Sequence, residues 1–381
     1  MTTDRHQLRV LYVINSLGPG GAERSLAELI QPLKERGIDI SVACLEHVDE
    51  GVEDEVVERH DVRFVGPGLL GSLRSLRQIV GSERPDLIHT TIFEADVLGR
   101  LASIGRGVPV VTSIVNTSYL PLVADHPDVT RWKLRIVRAV DRITARRVNQ
   151  SFHALTEAAA QGAVEALGIS RDRVEVIPRG RSTDRLGEPT AERRRRVQQE
   201  LGVEGRRVLL SVGRREHQKG QIHAIDAVGR LGIDNVVLLI AGRHGAASER
   251  LSRRADELGL GPKVRFLGHR DDVPDLMVAS DVLVFPSLYE GLGGAAIEAM
   301  ALGLPIISSD IPPLREAAQG VALFFPPGDA AALARAIEDL LTNADLAKRM
   351  STEGRERFKE NFTIDSVADA MAAYYRSQPP K

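Results

Sequence analysis

Short apolar runs alternate with helical patterns along almost the whole chain, and this alternation restricts the fold more than any other feature. Each run is rich in β-forming residues and precedes a stretch with helical spacing, the pattern of βα units around a mostly parallel sheet. The first half contains runs at 8–15, 40–45, 62–65, 86–92, 109–115, 151–155 and 174–177. The second half contains runs at 208–212, 236–241, 264–267, 282–285, 305–308 and 322–325. The sequence therefore predicts an α/β protein with two doubly wound domains.

Composition agrees with two ordinary domains and excludes several classes of protein. The 381 residues are 43% apolar, enough for two cores. A net charge of -2 gives no global positive field for nucleic acid. Cys44 is the only cysteine, which excludes an internal disulfide or a thiolate zinc site and fits a reducing cytosol. Without an apolar signal region or a run of about 18 apolar residues, we expect a cytoplasmic protein that could still contact the inner face of a membrane.

A polar stretch between 181 and 199 marks a domain boundary. It contains a Glu-Pro pair and four consecutive arginines, Arg193 to Arg196. Glu192 and Glu200 bracket the arginines at helical spacing, so we interpret this run as a solvated helix face rather than a phosphate contact. We predict one domain over 1–185 and a second over 186–363.

The stretch 287–298 combines the end of a buried strand, a glycine turn and the start of a helix. Glu290 falls just past the carboxyl end of the strand, where open α/β sheets hold ligands. Gly293 and Gly294 open the helix with bare amides, which suit a phosphate or a sugar oxygen. Glu298 is the only charge between 291 and 309, and a lone carboxylate there needs a partner. That partner is either a ligand or an arginine of the core.

Two further loops follow predicted strands. Arg214 and Lys219 are separated by a short loop at the end of the run 208–212, and two such cations can clamp a diphosphate. The alternative is a solvated basic loop. The glycine loop after the first strand fails as a dinucleotide fingerprint, because Glu23 stands where the third glycine belongs. A dehydrogenase is therefore disfavoured.

At this point the chain resembles a known family, the retaining glycosyltransferases of family 4, which have the GT-B architecture. Glu290 and Glu298 have seven residues between them, as in the Glu-x7-Glu signature of that family. The surrounding residues also match: Pro286-Ser287, Glu290-Gly291 and Glu298-Ala299-Met300-Ala301-x-Gly303-x-Pro305. The resemblance implies two facing Rossmann-like domains with an interdomain cleft, and a C-terminal helix (364–381) that packs back on the first domain.

The resemblance also implies roles for individual residues. Glu290 would lie by the donor sugar, Glu298 would hold the nucleoside ribose, and Arg214 with Lys219 would hold the leaving diphosphate. Gly20 and Gly21 match the glycine loop that lies across from the donor diphosphate, and Gly268 with His269 match the nucleobase edge. Relatives often have Gly-Phe-Gly-Leu-Pro after the first glutamate, whereas this chain has Gly291-Leu-Gly-Gly-Ala295, so we expect a more flexible loop.

The first half of the chain lacks a histidine that many members of the family have. Many relatives place a histidine after the run 109–115, pointing at the donor sugar, but the matching position here is Val115. Asn116 and Thr117 are weak substitutes on the acceptor side. His89 matches an Asp-x-x-His stretch of the family, and we interpret it as structural, with contact to the acceptor as the alternative.

The resemblance predicts transfer of a sugar, with retention, from a nucleoside-diphosphate sugar to a glycan, a lipid-linked acceptor or a small molecule. UDP is the favoured nucleotide and GDP the second. The chain has no Asp-x-Asp, so we expect neither a metal nor another cofactor, with Arg214 and Lys219 supplying the positive charge. The alternatives are a GT-B sugar phosphorylase, a nucleotide-sugar epimerase, or a non-catalytic nucleotide-sugar-binding protein.

One predicted helix, 130–147, carries two stripes. Arginines recur every three or four residues beside the apolar stripe of Trp132, Ile136, Val140 and Ile143; they are Arg131, Arg135, Arg138, Arg142 and Arg146. The pattern fits a helix that contacts an anionic membrane surface. The alternative is an ordinary domain helix whose apolar residues face the sheet.

Overall fold

The structure is a computed structural model that describes residues 7–48, 51–116, 131–147 and 150–379. It divides into two compact units, Met1–Arg181 with Thr363–Lys381 (unit 1) and Ser182–Phe362 (unit 2). From the sequence, the boundaries are predicted at 185/186 and 363/364. Thr117, a predicted acceptor-side residue, and Thr130, the first residue of the predicted helix 130–147, lie outside the described residues.

Strands and helices alternate in both units. The strands are β1 Leu8–Ile14, β2 Ile38–Cys44, β3 Val62–Phe64, β4 Leu87–Thr91, β5 Val110–Ile114, β6 Gln150–Ala154, β7 Val174–Val176, β8 Arg207–Val212, β9 Val236–Ala241, β10 Val264–Gly268, β11 Val282–Phe285, β12 Ile306–Ser309 and β13 Ala322–Phe325. The helices are α1 Gly21–Glu35, α2 Glu53–Arg59, α3 Gly68–Glu83, α4 Phe93–Ser103, α5 Arg131–Arg147, α6 Glu157–Leu167, α7 Thr183–Leu186, α8 Ala191–Leu201, α9 Gln221–Val228, α10 Ser248–Glu257, α11 Val273–Ala279, α12 Gly294–Leu302, α13 Pro312–Ala318, α14 Ala330–Thr342, α15 Ala344–Asn361 and α16 Ile364–Arg376. None of these helices is long and apolar enough to cross a membrane.

Unit 1 is built on a sheet with the strand order β3-β2-β1-β4-β5-β6-β7, in which neighbouring strands are parallel. Successive side chains of a strand point to opposite faces, and both faces are covered by helices, so β1 is apolar throughout its buried part. Val10, Tyr12 and Ile14 pack with α1 and α16, whereas Leu11 and Val13 pack with α3 and α4.

Helix α16 follows unit 2 in the chain but belongs to unit 1. Val367, Met371 and Tyr375 on its inner face join the core cluster that contains α1 and β1. On its outer face Asp369 pairs with Arg36 at 2.6 Å. The helix therefore closes one face of the sheet of unit 1.

Unit 2 has the strand order β10-β9-β8-β11-β12-β13, again with parallel neighbours. Helices α9, α10 and α14 pack on one face of this sheet. Helix α12 is apolar on almost every side because it is largely buried, with Met300 facing Gly354 of α15. The predicted α/β class with two Rossmann-like domains is therefore confirmed.

Candidate functional site

The order of the strands in unit 2 changes direction between β8 and β11. The chain first builds outward from β8 through β9 to β10, and it then returns to the other side of β8 with β11. Loops after two strands at such a switch point diverge to opposite faces and leave a crevice for a ligand. Lys219 lies in the segment that follows β8, and Glu290 lies in the loop that follows β11. The topology thus brings together two residues that are 71 positions apart.

The two loops are held together by backbone contacts. Gly220 has φ 58°, and a Cβ atom there would lie 2.0 Å from the carbonyl oxygen of Pro286, so only glycine fits. Leu288 N donates to Gln218 O at 2.8 Å, and Gln218 Nε2 donates to Tyr289 O at 2.9 Å. The segment that carries Lys219 is therefore fixed against the loop that carries Glu290.

An ion pair occupies the centre of this arrangement. Lys219 Nζ donates to Glu290 Oε1 at 2.5 Å, and Ser287 Oγ donates to the same oxygen at 2.9 Å. Lys219 Nζ also lies 5.7 Å from the centre of the Phe285 ring. Both charged side chains are mostly buried. The Lys219 ammonium group has three N–H donors, so it can bind a phosphate oxygen in the crevice in addition to Glu290 or in its place.

Arg214 lies on the same loop and is exposed. Among the described residues its guanidinium forms no hydrogen bond or ion pair, but its charge acts on Tyr289. Burial, Glu216 and Glu290 raise the pKa of the Tyr289 phenol, and Arg214 opposes them. Arg214 is therefore close to the loop after β11 and available to an anion.

Glu298 lies on α12 and forms an ion pair with an arginine. Its Oε1 accepts from Arg185 Nη2 at 2.7 Å, and the exposed fractions of the two side chains are 12% and 27%. Arg185 belongs to α7, a single turn at the start of unit 2. The arginine partner that the sequence analysis gave as the alternative to a ligand is thus present, and the ribose role of Glu298 stays a prediction.

The glycines of the predicted donor site differ in how much room their surroundings leave for a side chain. Gly293 caps α12 with φ 89°, and a Cβ atom there would come within 2.7 Å of Leu314. Gly294 is the first residue of the helix. Gly268 ends β10 with φ 70° in open space, and His269 beside it lies 3.3 Å from Asp271.

In unit 1, Gly20 and Gly21 join β1 to α1. A Cβ atom on Gly20 would lie 2.1 Å from Oε2 of Glu23, and one on Gly21 would lie 3.3 Å from Nη1 of Arg179. Gly20 therefore leaves room for the Glu23 carboxylate at the first turn of α1, where a negative charge is favourable.

His89 lies inside unit 1, with both ring nitrogens in hydrogen bonds. Nδ1 contacts Tyr375 Oη at 2.5 Å, and Nε2 contacts Ser113 Oγ at 2.6 Å. Ser113 in turn contacts His153 Nδ1 at 2.8 Å, and His153 Nε2 donates to Ile177 O at 2.7 Å. Burial lowers the pKa of His89, and it lowers the pKa of His153 to about 4. These histidines are neutral members of a buried network. Asn116, the other acceptor-side candidate, follows β5 and is half-buried.

Comparisons with known proteins identify the family to which the chain belongs. A family model described as "Glycosyl transferases group 1" matches residues 192–357, and one described as "Glycosyl transferase 4-like domain" matches 20–180. The 2-deoxystreptamine N-acetyl-D-glucosaminyltransferase of Streptomyces fradiae is 30% identical, with 93% of this chain and 90% of the relative covered. The chain belongs to the GT4-like glycosyltransferases.

Other relatives agree with this membership. The 2-deoxystreptamine glucosyltransferase of Streptomyces kanamyceticus is 32% identical to this glycosyltransferase over 71% of the chain and 70% of the relative. Among solved structures, the crystal structure of Anabaena HepE in complex with UDP-glucose superposes with a TM-score of 0.85 at 23% identity, covering 97% and 100% of the two chains. At that identity the likeness shows the GT-B fold.

Sequence reasoning missed three residues next to the predicted site of the glycosyltransferase. Arg185 is one, as the partner of Glu298. Within the described ranges, Arg215 Nε and Gln221 Oε1 are buried without a hydrogen-bond partner, and Gln221 Nε2 donates to Gly213 O at 3.1 Å.

Proposed function

We propose that this glycosyltransferase transfers a hexose, with retention of its anomeric configuration, from a nucleoside-diphosphate sugar to a hydroxyl group of the acceptor. The observation that carries the proposal is the Lys219–Glu290 pair at the switch point of unit 2, with Arg214 on the same loop. A departing diphosphate develops negative charge, and a preorganised cation lowers the free energy of that transition state.

Each residue has one task in the proposed reaction. The bond from the anomeric carbon to the diphosphate oxygen breaks, while the acceptor oxygen attacks the anomeric carbon from the same face. The departing phosphate oxygen takes the acceptor proton, so charge and atoms balance. Lys219 and Arg214 stabilise the diphosphate, Glu290 orients hydroxyl groups of the sugar, and Glu298 holds the ribose. Gly293 and Gly294 present amides to the donor, and no metal takes part.

Buried polar atoms without a partner support a ligand at this place. Arg215 Nε and Gln221 Oε1 are such atoms within the described ranges, and they flank the segment that holds Lys219. A buried polar group without a partner costs free energy in the unliganded protein. Polar atoms of a bound donor would give these groups partners.

UDP is the proposed nucleotide and GDP the second choice. The complex of HepE with UDP-glucose supports UDP by analogy. For the acceptor, the names of the two Streptomyces relatives support a small aminocyclitol such as 2-deoxystreptamine as the first compound to try. A glycan and a lipid-linked sugar are the other acceptor classes.

Thermal unfolding with a panel of nucleoside diphosphates tests the donor. A ligand at about 100 times its dissociation constant adds roughly 2.7 kcal/mol to the free energy of unfolding. We expect UDP to raise the melting temperature most. The same protein is then incubated with UDP-sugars, with and without acceptor and free phosphate. Products that require phosphate would identify a phosphorylase, a converted donor sugar would identify an epimerase, and binding without turnover would identify a binding protein.

A further inference from the structure

The side of helix α5 that faces the core of unit 1 carries a buried aspartate. Among its described side chains, only Asp141 and Ala145 are buried. Asp141 Oδ1 accepts from Arg100 Nη1 at 2.5 Å, and Arg100 Nη1 also donates to Thr144 Oγ1 at 3.1 Å. Arg100 is itself fully buried. A buried ion pair therefore fixes which side of α5 faces the core.

The apolar stripe of α5 consequently faces solvent. Trp132, Ile136, Val140 and Ile143 are 61%, 55%, 38% and 51% exposed. They account for four of the ten large apolar side chains that are exposed among the described residues, so they form a patch rather than scattered single residues. The alternative from the sequence analysis, in which the stripe faces the sheet, is wrong.

The arginines of α5 divide into two groups. Arg138 Nε donates to Ala166 O at 3.0 Å, and Arg146 Nε donates to Leu167 O at 3.1 Å, so both occupy carbonyl groups at the end of α6. All four of these arginines are exposed, but Arg135 and Arg142 donate no hydrogen bond within the described ranges. Lys133 is exposed too, and its Nζ lies 5.8 Å from the Trp132 ring. The side chain of Arg131 lies outside the described part. The single acidic residue of α5, Asp141, is buried.

We propose that the exposed face of α5 docks on an anionic phospholipid surface. The apolar stripe would enter the boundary between headgroups and acyl chains, with the Trp132 ring at that depth, while Lys133, Arg135 and Arg142 contact lipid phosphates. A second copy of the chain fits this face poorly, because pairing two such helices would bring cations against cations. Each cation near an anionic surface strengthens binding by about fivefold, so the three together contribute about a hundredfold.

Trp132 is the only tryptophan of the chain, so tryptophan fluorescence reports on α5 alone. Its fluorescence is recorded while vesicles of phosphatidylglycerol or of phosphatidylcholine are added to the full chain. With phosphatidylglycerol we expect the Trp132 emission to shift to the blue and to be quenched by brominated acyl chains, whereas phosphatidylcholine should change it little. Near 1 M salt the shift should be reversed, because the Debye length falls to about 3 Å and the charges are screened.

Two double variants, each replacing two arginines with glutamates, are then compared with the wild type. Arg135→Glu with Arg142→Glu should weaken vesicle binding by at least about a hundredfold. The control is Arg195→Glu with Arg349→Glu, two exposed arginines on α8 and α15, which should bind as wild type does. Circular dichroism melts of both proteins verify that they fold.

Several results would overturn the proposal. One is the absence of any shift at low salt, and another is equal binding to both lipids. Equal losses in the α5 variant and the control would also contradict it. A blue shift that grows with protein concentration in the absence of vesicles would assign the face to a second copy of the chain. None of these outcomes depends on transferase activity, so the result is independent of the proposed function.

Discussion

Glu298 has two candidate partners, and one set of substitutions separates them. In the structure its carboxylate pairs with Arg185 at 2.7 Å, whereas the family resemblance assigns it to the ribose of the donor. If it binds ribose, Glu298→Ala should weaken nucleoside-diphosphate binding by about 1.5 to 3 kcal/mol, the value of a hydrogen bond to a charged group. That loss corresponds to an increase of about 10- to 150-fold in Kd.

Arg185→Ala should have a different result. It removes the competing partner of Glu298 and leaves the carboxylate in place, so we expect Kd to stay within about twofold of wild type or to fall. Both substitutions break the same ion pair. Because the pair is neither fully exposed nor fully buried, each should lower the stability of unit 2 by about 1 to 2 kcal/mol. For a unit of this size the melting temperature should fall by about 2 to 8 °C.

Calorimetric titration with the nucleoside diphosphate that stabilises the wild type most gives the four Kd values of a double-mutant cycle. Glu353→Ala serves as the control, because Glu353 is an exposed glutamate on α15 with a long contact of 3.9 Å to Arg349. The ribose assignment is refuted if Glu298→Ala binds the nucleotide as tightly as wild type. It is equally refuted if Arg185→Ala loses as much affinity as Glu298→Ala and the double variant loses no more, since Glu298 would then act only through Arg185.

Three further predictions concern the site and its surroundings. Arg214→Ala or Lys219→Ala should lower kcat by at least about a hundredfold, and unchanged kcat in either variant would contradict a role in stabilising the diphosphate. Glu290→Ala should lower kcat more than it weakens nucleotide binding. EDTA should leave the wild type active, whereas loss of activity that a divalent ion restores would contradict the metal-free mechanism. Burial lowers the pKa of His153 to about 4, so the unfolded chain takes up its proton first as the pH falls. Its contribution to stability is therefore complete above about pH 6.5 and is lost toward pH 4, by about 3 kcal/mol, which urea unfolding across that range measures.

The sequence predicts the parts of the fold that depend on local pattern. The thirteen apolar runs correspond to the strands of both sheets, because a strand covered on two faces must be apolar along its length. It also predicts that Lys219 and Glu290 follow strands of one sheet. Their direct contact depends on β8 and β11 being neighbours, which is a property of topology rather than of either segment.

Two features could not be predicted because they depend on contacts between distant residues. Arg185 reaches Glu298 across 113 positions from a helix of four residues, too short to give a periodic signal. For α5, periodicity identifies an apolar stripe but not the side that faces the sheet. The ion pair between Asp141 and Arg100, 41 positions apart, decides the orientation against the usual preference.

The position of α16 has a consequence for the order of folding during synthesis. His89 and Tyr375, which are in contact, are 286 positions apart, and all of unit 2 lies between the two segments of unit 1. At about 5 to 20 residues per second, the ribosome needs roughly 10 to 40 s to pass from Arg181 to Arg376. During that time the α1 face of the first sheet lacks the helix that covers it. We therefore expect unit 2 to reach its native state first, and the nascent first unit to be the segment that chaperones bind.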